Sequence, residues 1–120
     1  MSEPKSRIEI IDFIVSHFEN NPRSLSESGD CLYNGPNGSH CAFAIMCSNP
    51  EKLPEGKGVF SLIQKRIPKI KPEFAGYSTG FYRDIQSLHD YDGNWIKTPE
   101  GNELTLLGVK EVERLKYFHK

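Results

Sequence analysis

The segment Cys31–Cys47 constrains the fold of this chain more than any other stretch of its sequence. It holds all three cysteines, the densest group of turn-forming residues and the most apolar run. Residues 34–38 (sequence NGPNG) predict a tight turn, because glycine and asparagine tolerate positive φ and proline presets φ. The sequence therefore predicts a β-hairpin with strands over 31–33 and 39–43.

The register of this hairpin decides which side chains meet, since a slip of one residue sends each side chain to the opposite face. A five-residue loop places Cys31 opposite Cys41, with their Cβ atoms roughly 4.5 to 5.5 Å apart. A two-residue type I′ turn at Asn37–Gly38 places Asn34 opposite Cys41 and separates the cysteines. We favour the first register because it also puts Tyr33 with the cysteines on one buried face.

The chain has 120 residues, of which 37% are hydrophobic, and this is the size and composition of one globular domain. We therefore assign residues 1–120 to a single domain. The first ten residues are too charged for a signal peptide, and no apolar run approaches the roughly 20 residues that span a bilayer. We therefore expect a soluble, cytoplasmic protein. Because the cytoplasm is reducing and the number of cysteines is odd, the three cysteines are expected to be buried thiols and not a disulfide framework. The net charge is −1, and the second half carries ten basic against eight acidic side chains, an excess too small to indicate nucleic acid by itself.

Hydrophobic periodicity predicts four amphipathic helices, over residues 7–20, about 58–66, about 79–91 and 106–118. The first is the clearest, because Ser6 and Glu9 make a capping box at its start. The last is predicted to begin at a Thr105 cap and to direct Leu107, Val112, Leu115 and Phe118 inward.

Two further segments complete the predicted fold class. The apolar run 42–46 is expected to be a strand that passes into a short buried turn. Residues 95–97 and 102–104 predict a second hairpin around 98–101, where Pro99 suits the first corner and Gly101 the left-handed position. The sequence therefore predicts an α+β fold, a small single domain with about four helices and two β-hairpins.

Ten residues of the chain form a pattern that is known from one family. The pattern C-x-Y…G-x-x-C-A followed by L/I-Q-x-x-H-D and a tryptophan is formed by Cys31, Tyr33, Gly38, Cys41, Ala42, Ile85, Gln86, His89, Asp90 and Trp95. Over residues 8–107 the chain resembles small uncharacterised proteins of bacteriophages and prophages. It departs from them at 43–50, which lacks the family's glycine and shifts its acidic pair. The resemblance implies a phage or mobile-element origin and, since such accessory proteins often inhibit host machinery, a similar role here.

The interpretation we favour is a binding protein without catalysis and without a cofactor. Its partner would be a host or defence protein, and not a membrane. Aromatic side chains in predicted loops are suited to anchoring such a partner, and the candidates are Phe74, Tyr77 and Trp95.

Two alternatives assign chemistry to the cysteines. A cysteine-dependent hydrolase would use Cys41 as nucleophile and His89 as its base, although Asp90 points about 100° away from His89 on a helix and is a poor orienter. A zinc site would use four sulfur and nitrogen donors, Cys31, Cys41, Cys47 and His89. Both depend on the thiols at 31 and 41 lying side by side beneath the imidazole.

A third alternative is nucleic-acid binding through a basic patch between the second and third predicted helices. Four cations fall within seven residues there, Lys65, Arg66, Lys69 and Lys71. Such spacing can follow a phosphate backbone, with the Trp95 ribbon as a second contact. The same run is also typical of an ordinary solvated face.

Overall fold

The computed structural model describes residues 4–120, in which five α-helices and one two-stranded antiparallel sheet are formed. The helices are α1 (Arg7–Glu19), α2 (Ala42–Ile45), α3 (Val59–Gln64), α4 (Thr79–Asp90) and α5 (Leu106–Phe118), and the strands are β1 (Trp95–Lys97) and β2 (Asn102–Leu104). The class is α+β as predicted, with one more helix and one fewer hairpin. The prediction about a signal peptide falls in part on residues 1–3, which lie outside the described residues.

The helix starts follow the capping signals of the sequence. At α1, Ser6 Oγ accepts a hydrogen bond from the N–H of Glu9 at 3.1 Å, and the Glu9 carboxylate accepts one from the N–H of Ser6 at 2.9 Å. The hydroxyls of Ser78 and Thr105 cap α4 and α5 by accepting from an N–H three residues on. The predicted capping box and the Thr105 cap are therefore confirmed.

The first predicted hairpin is reduced to an isolated bridge, and both registers considered for it are wrong. Asn34 pairs with His40, and the N–H of Cys41 donates to the carbonyl oxygen of Tyr33 at 3.2 Å. The loop therefore spans residues 35–39, one position later at each end than the predicted five-residue loop. It contains a 3₁₀ turn whose central asparagine has φ 58°, a conformation that asparagine tolerates better than most residues.

The two cysteines of that segment are consequently not cross-strand neighbours. Cys31 pairs with Leu25 in a second isolated bridge, and Cys41 lies opposite Tyr33. The predicted register, with Cys31 directly opposite Cys41, is therefore wrong.

The apolar run after Cys41 is the helix α2 and not the expected strand. Cys41 is its N-cap, and the thiol sulfur accepts from the N–H of Ala44 at 3.5 Å. The N–H of Phe43 donates to Oε1 of Gln86 on α4 at 2.8 Å. Because these acceptors satisfy two first-turn N–H groups, a four-residue helix can be buried here.

The two strands of the second predicted hairpin are confirmed. Trp95 pairs with Leu104 and Lys97 with Asn102 in an antiparallel register. The N–H of Thr98 donates to the carbonyl oxygen of Gly101 at 3.0 Å and closes the turn.

The left-handed position predicted for Gly101 in this hairpin is wrong, because its φ is not positive. Glycine is required there by a close approach to α1, since a Cβ atom would lie 2.8 Å from the carbonyl oxygen of Phe18.

All five helices contribute to one hydrophobic cluster, so the described chain has one core. The central element is α4, which contacts α2, α3 and α5 and buries Phe81, Ile85 and Leu88. Within residues 4–120 no helix combines the length and the apolar character that crossing a bilayer requires.

The orientation of α5 differs from the prediction. Val112 and Leu115 face the core as expected, but Leu107 is 50% exposed and Phe118 is 70% exposed. The cause is the close approach at Gly108, where a Cβ atom would lie 2.2 Å from the carbonyl oxygen of Asn94. Because only glycine permits this contact, it fixes which face of α5 turns inward.

Candidate functional site

The histidine of the Q-x-x-H-D motif lies at the end of α4 with both ring nitrogens hydrogen-bonded. His89 has no exposed surface, and its Nδ1 lies 2.8 Å from Oδ1 of Asp90. Its Nε2 accepts a hydrogen bond from the backbone N–H of Ser24 at 3.2 Å. Since a backbone N–H can only donate, the lone pair is on Nε2 and the ring proton is on Nδ1. Asp90 therefore orients the imidazole, which corrects the prediction that it points away.

Arg23 closes the C-terminal end of the same helix. Its Nε and Nη2 donate to the carbonyl oxygen of His89 at 2.9 and 2.6 Å, and its Nη1 pairs with Asp92 at 3.0 Å. A guanidinium at this position satisfies a carbonyl that has no partner within the helix, and its charge complements the helix dipole. Nothing in the sequence around Arg23 signalled this contact, which joins residues 66 positions apart.

Gln86 connects the motif to the cysteine segment. Its Nε2 donates to Oδ1 of Asp90 at 2.9 Å, while its Oε1 accepts from Phe43 at the start of α2. The carboxylate oxygen of Asp90 therefore receives two hydrogen bonds, one from the amide and one from the imidazole. This network holds α2 and the end of α4 in a fixed relation.

Burial lowers the pKa of His89, an effect that the hydrogen bond to Asp90 opposes only in part. The imidazole is therefore neutral at pH 7. The thiol of Cys31 lies beside it and donates to the backbone oxygen of Asp90 at 3.5 Å. Burial, reinforced by the Asp90 charge, raises the pKa of Cys31 to about 12, so this thiol is protonated at neutral pH.

The structure brings together only two of the four predicted zinc donors. Within the described residues the group that could hold an ion is Cys31, His89 and Asp90, whose donor atoms all lie within 4.8 Å of one another. Cys41 and Cys47 lie outside this group. The sulfur of Cys41 accepts a hydrogen bond from an N–H of α2, and the backbone of Cys47 forms an isolated antiparallel β-bridge with Ile70.

The donor chemistry of this group does not fit zinc. A metal requires an imidazole lone pair, but Nδ1 of His89 carries the proton and Nε2 already accepts from Ser24. Moving the proton to Nε2 would place the Nε2–H of His89 against the backbone N–H of Ser24 in the buried interior, and neither donor would then have an acceptor. These three residues are therefore not suited to hold zinc.

The predicted catalytic pair is equally unsuited to nucleophilic chemistry as it stands. Cys41 and His89 both have 0% exposure, and burial raises the pKa of Cys41 to about 12. The one lone pair of the imidazole is engaged by Ser24, so it is not free to accept a thiol proton.

Two of the three predicted aromatic anchors are buried. Phe74 is 2% exposed, and Trp95 is 7% exposed with its Nε1 donating to the carbonyl oxygen of Leu88 at 2.8 Å. Tyr77 is half-buried, and its hydroxyl donates to the carbonyl oxygen of Lys5. Phe74 and Trp95 thus stabilise the core and offer little contact area to a partner.

The predicted basic patch lies on the surface between α3 and α4. Lys65, Arg66 and Lys69 are exposed and Lys71 is half-buried. None of the four forms an ion pair with another residue of the described range 4–120. Its loop is braced by Asn49, whose side chain hydrogen-bonds the backbone on both sides of the proline at 68.

The sequence did not identify one exposed apolar surface, which we call the α4–α5 patch and define by Tyr91 and Leu107. These side chains are 58% and 50% exposed, and both lie against Gly93, whose Cβ position would be 2.6 Å from the tyrosine ring and 3.3 Å from the leucine. They border a depression of about 340 Å³ that is completed by Ser87, Asn94 and Glu111. Tyr91 directly follows the H-D pair, which was the one available signal.

The fold and the site define a small α+β domain whose motif histidine is buried and hydrogen-bonded at both ring nitrogens, and whose α4–α5 patch begins two residues later in the chain, at Tyr91. Comparison with family models, with curated proteins and with solved structures finds no match to this chain.

Proposed function

We propose that this chain is an accessory protein of a phage or mobile element that binds a host or defence protein through the α4–α5 patch and inhibits it by association. The resemblance over residues 8–107 supports the origin. The binding proposal rests on Tyr91 and Leu107, two large side chains on one surface. Tyr91 is 58% exposed and Leu107 is 50% exposed.

The composition of the patch suits a protein partner. Tyrosine combines a large apolar area with a polar hydroxyl and is enriched where binding energy concentrates. The neighbouring depression of about 340 Å³ is large enough to receive a side chain of the partner. Of its remaining borders, Ser87 is exposed and Glu111 is half-buried, and these two form a polar rim of the kind that surrounds such anchors.

The motif residues support this role by fixing the segment that carries Tyr91. The carboxylate of Asp90 accepts from Gln86 and lies 2.8 Å from the ring of His89. Asp92 pairs with Arg23, so the residues on both sides of the tyrosine have defined partners. The N–H of Tyr91 donates to Ser87 at 3.1 Å, and its carbonyl oxygen accepts from Asn94 at 3.0 Å. A surface that is ordered before binding loses less conformational entropy when a partner docks.

Quantitative affinity capture from a bacterial host lysate tests the proposal. Tyr91→Ala and Leu107→Ala should each lower capture of the principal partner roughly tenfold or more, the effect of losing an anchor of about 1.4 kcal/mol or more. Phe60→Ala is the matched control, since Phe60 is also 58% exposed but lies on α3. Equal capture by wild type and Tyr91→Ala would overturn the proposal, provided circular dichroism shows both folded.

A second candidate function is nucleic-acid binding, which is favoured because none of the four patch cations pairs with an acidic group among residues 4–120. Four phosphate contacts would give a slope of about −3.6 for log affinity against log salt concentration on duplex DNA. Lys69→Ala should reduce that slope by about one. Binding that is absent at low salt, or independent of salt, would exclude this candidate.

A further inference from the structure

The outward face of α5 carries a regular stripe of exposed side chains. Leu106 and Tyr117 are each 74% exposed, and Lys110 and Glu113 are exposed between them. The spacings of four, three and four residues place all four on one line, opposite the face that α5 buries. We call this set the α5 stripe.

The charges of the stripe lack the partners that neighbouring charges have. Lys116 pairs with Asp12 at 2.5 Å, and Arg114 pairs with Glu111 at 2.5 Å. Within residues 4–120 neither Lys110 nor Glu113 forms an ion pair. The unpaired charges of α5 are therefore concentrated on the line that also carries its most exposed apolar groups.

The order of the stripe is complementary to its own reverse. If two copies of α5 are laid antiparallel about a two-fold axis between residues 111 and 112, Leu106 meets Tyr117 of the second copy. Lys110 then meets Glu113 of the second copy, and symmetry repeats each contact. The spacing is that of alternating a and d positions in a heptad, the pattern by which two helices pack along a seam. An interface of this kind is isologous, as in most two-fold dimers.

We infer that the α5 stripe is a self-association surface and that its occupant is the α5 helix of a second copy of this chain, packed antiparallel. Leucine against tyrosine supplies apolar contact at both ends, and two symmetry-related ion pairs set the register between them. A helix of 13 residues is about 20 Å long, so one helix pair buries less surface than a standard dimer interface and the dimer should be weak.

This surface is distinct from the α4–α5 patch. Leu107 is one residue from Leu106 and therefore points about 100° away around the helix axis. Self-association through the stripe does not depend on the proposed function, and Tyr91→Ala should leave it unchanged.

Charge reversal with sedimentation equilibrium tests the inference. For wild type the mass should rise from 13.7 kDa towards twice that value as concentration increases. Lys110→Glu and Glu113→Lys should each raise the dimer dissociation constant at least tenfold, because like charges then face each other across the axis. The double reversal restores opposite charges and should return the constant to within about threefold of wild type.

The control is Glu100→Lys, a charge change of the same size at an exposed residue of the β-turn, which should leave the constant unaltered. Thermal unfolding followed by circular dichroism checks that every variant is folded. A wild-type chain that stays monomeric at one millimolar overturns the inference. So does a single reversal that dimerises as well as wild type, or a double reversal that fails to recover.

Discussion

Replacing Gly108 by alanine should destabilise the protein, although glycine inside a helix is normally a weak point. In an exposed helix the change would stabilise by up to about 1 kcal/mol. Here the added Cβ would lie 2.2 Å from the carbonyl oxygen of Asn94 and 2.9 Å from Leu104. The oxygen cannot easily move away, because it also accepts the N–H of Thr105 at 3.0 Å. Overpacking of this kind costs about 1 to 3 kcal/mol, which exceeds the gain in propensity.

Urea and thermal unfolding of matched variants measure this difference. Gly108→Ala should lower the free energy of unfolding by about 1 to 2 kcal/mol and the Tm by roughly 4 to 10 °C. Gly80→Ala in α4 is the control, since the nearest atom to its added Cβ is a serine hydroxyl at 3.9 Å. That variant should be as stable as wild type or slightly more so. A Gly108→Ala protein that matches Gly80→Ala in stability would refute the reasoning that this contact orients α5.

Three further predictions concern the protonation of His89, the reactivity of Cys31 and the close contacts of Gly35. Because burial lowers the pKa of His89, the unfolded chain binds a proton there below about pH 6.5 more readily than the folded protein does, and the free energy of unfolding should fall as pH drops from 7 to 5, by up to about 1.4 kcal/mol per pH unit. Urea titrations should find that this free energy depends less steeply on pH in His89→Gln than in wild type. An unchanged pH dependence would contradict the prediction. Iodoacetamide should label Cys31 alone in the folded protein, because Cys41 and Cys47 are buried. The labelling should be slow at pH 7 and about tenfold faster for each pH unit above it, since the thiolate is the reactive form and the pKa of Cys31 is raised. Labelling of Cys41 or Cys47 at pH 6 would contradict their burial. Gly35→Ala should lower the free energy of unfolding by about 1 to 3 kcal/mol, because the added Cβ would lie 2.5 Å from the hydroxyl oxygens of Ser24 and Ser39. A urea unfolding midpoint equal to that of wild type would contradict this prediction.

The elements that the sequence predicted correctly are those with local signals. The capping box of Ser6 and Glu9 lies within four residues, and the second hairpin is set by a turn of four residues around Pro99. Their partners are near in sequence, so composition and spacing were sufficient.

The first hairpin was mispredicted because distant residues decide its geometry. The carboxylate of Glu55 accepts from the N–H groups of Tyr33 and Asn34 at 2.7 and 3.0 Å, across 22 and 21 residues. These contacts hold the strand ends and leave the loop one residue later than turn propensity indicated. Similarly, α2 receives its acceptor from Gln86, 43 residues away.

The candidate site illustrates the same division. His89 and Asp90 were recognised by residue type, but their roles depend on Ser24, which lies 65 residues away and fixes the tautomer through its backbone N–H. No side-chain pattern encodes a backbone donor. For the same reason the sequence could not distinguish a structural imidazole from a catalytic or metal-binding one.

We propose that function lies in the exposed surfaces, because His89 is a neutral, structural imidazole with its proton on Nδ1. Two-bond proton–nitrogen correlation NMR of the histidine rings at pH 7, with and without equimolar zinc, tests this role of His89 most directly. We predict the Nδ1–H tautomer for His89 and no change in its ring signals when zinc is added. An Nε2–H tautomer, or ring signals that shift with zinc, would contradict a structural role for His89.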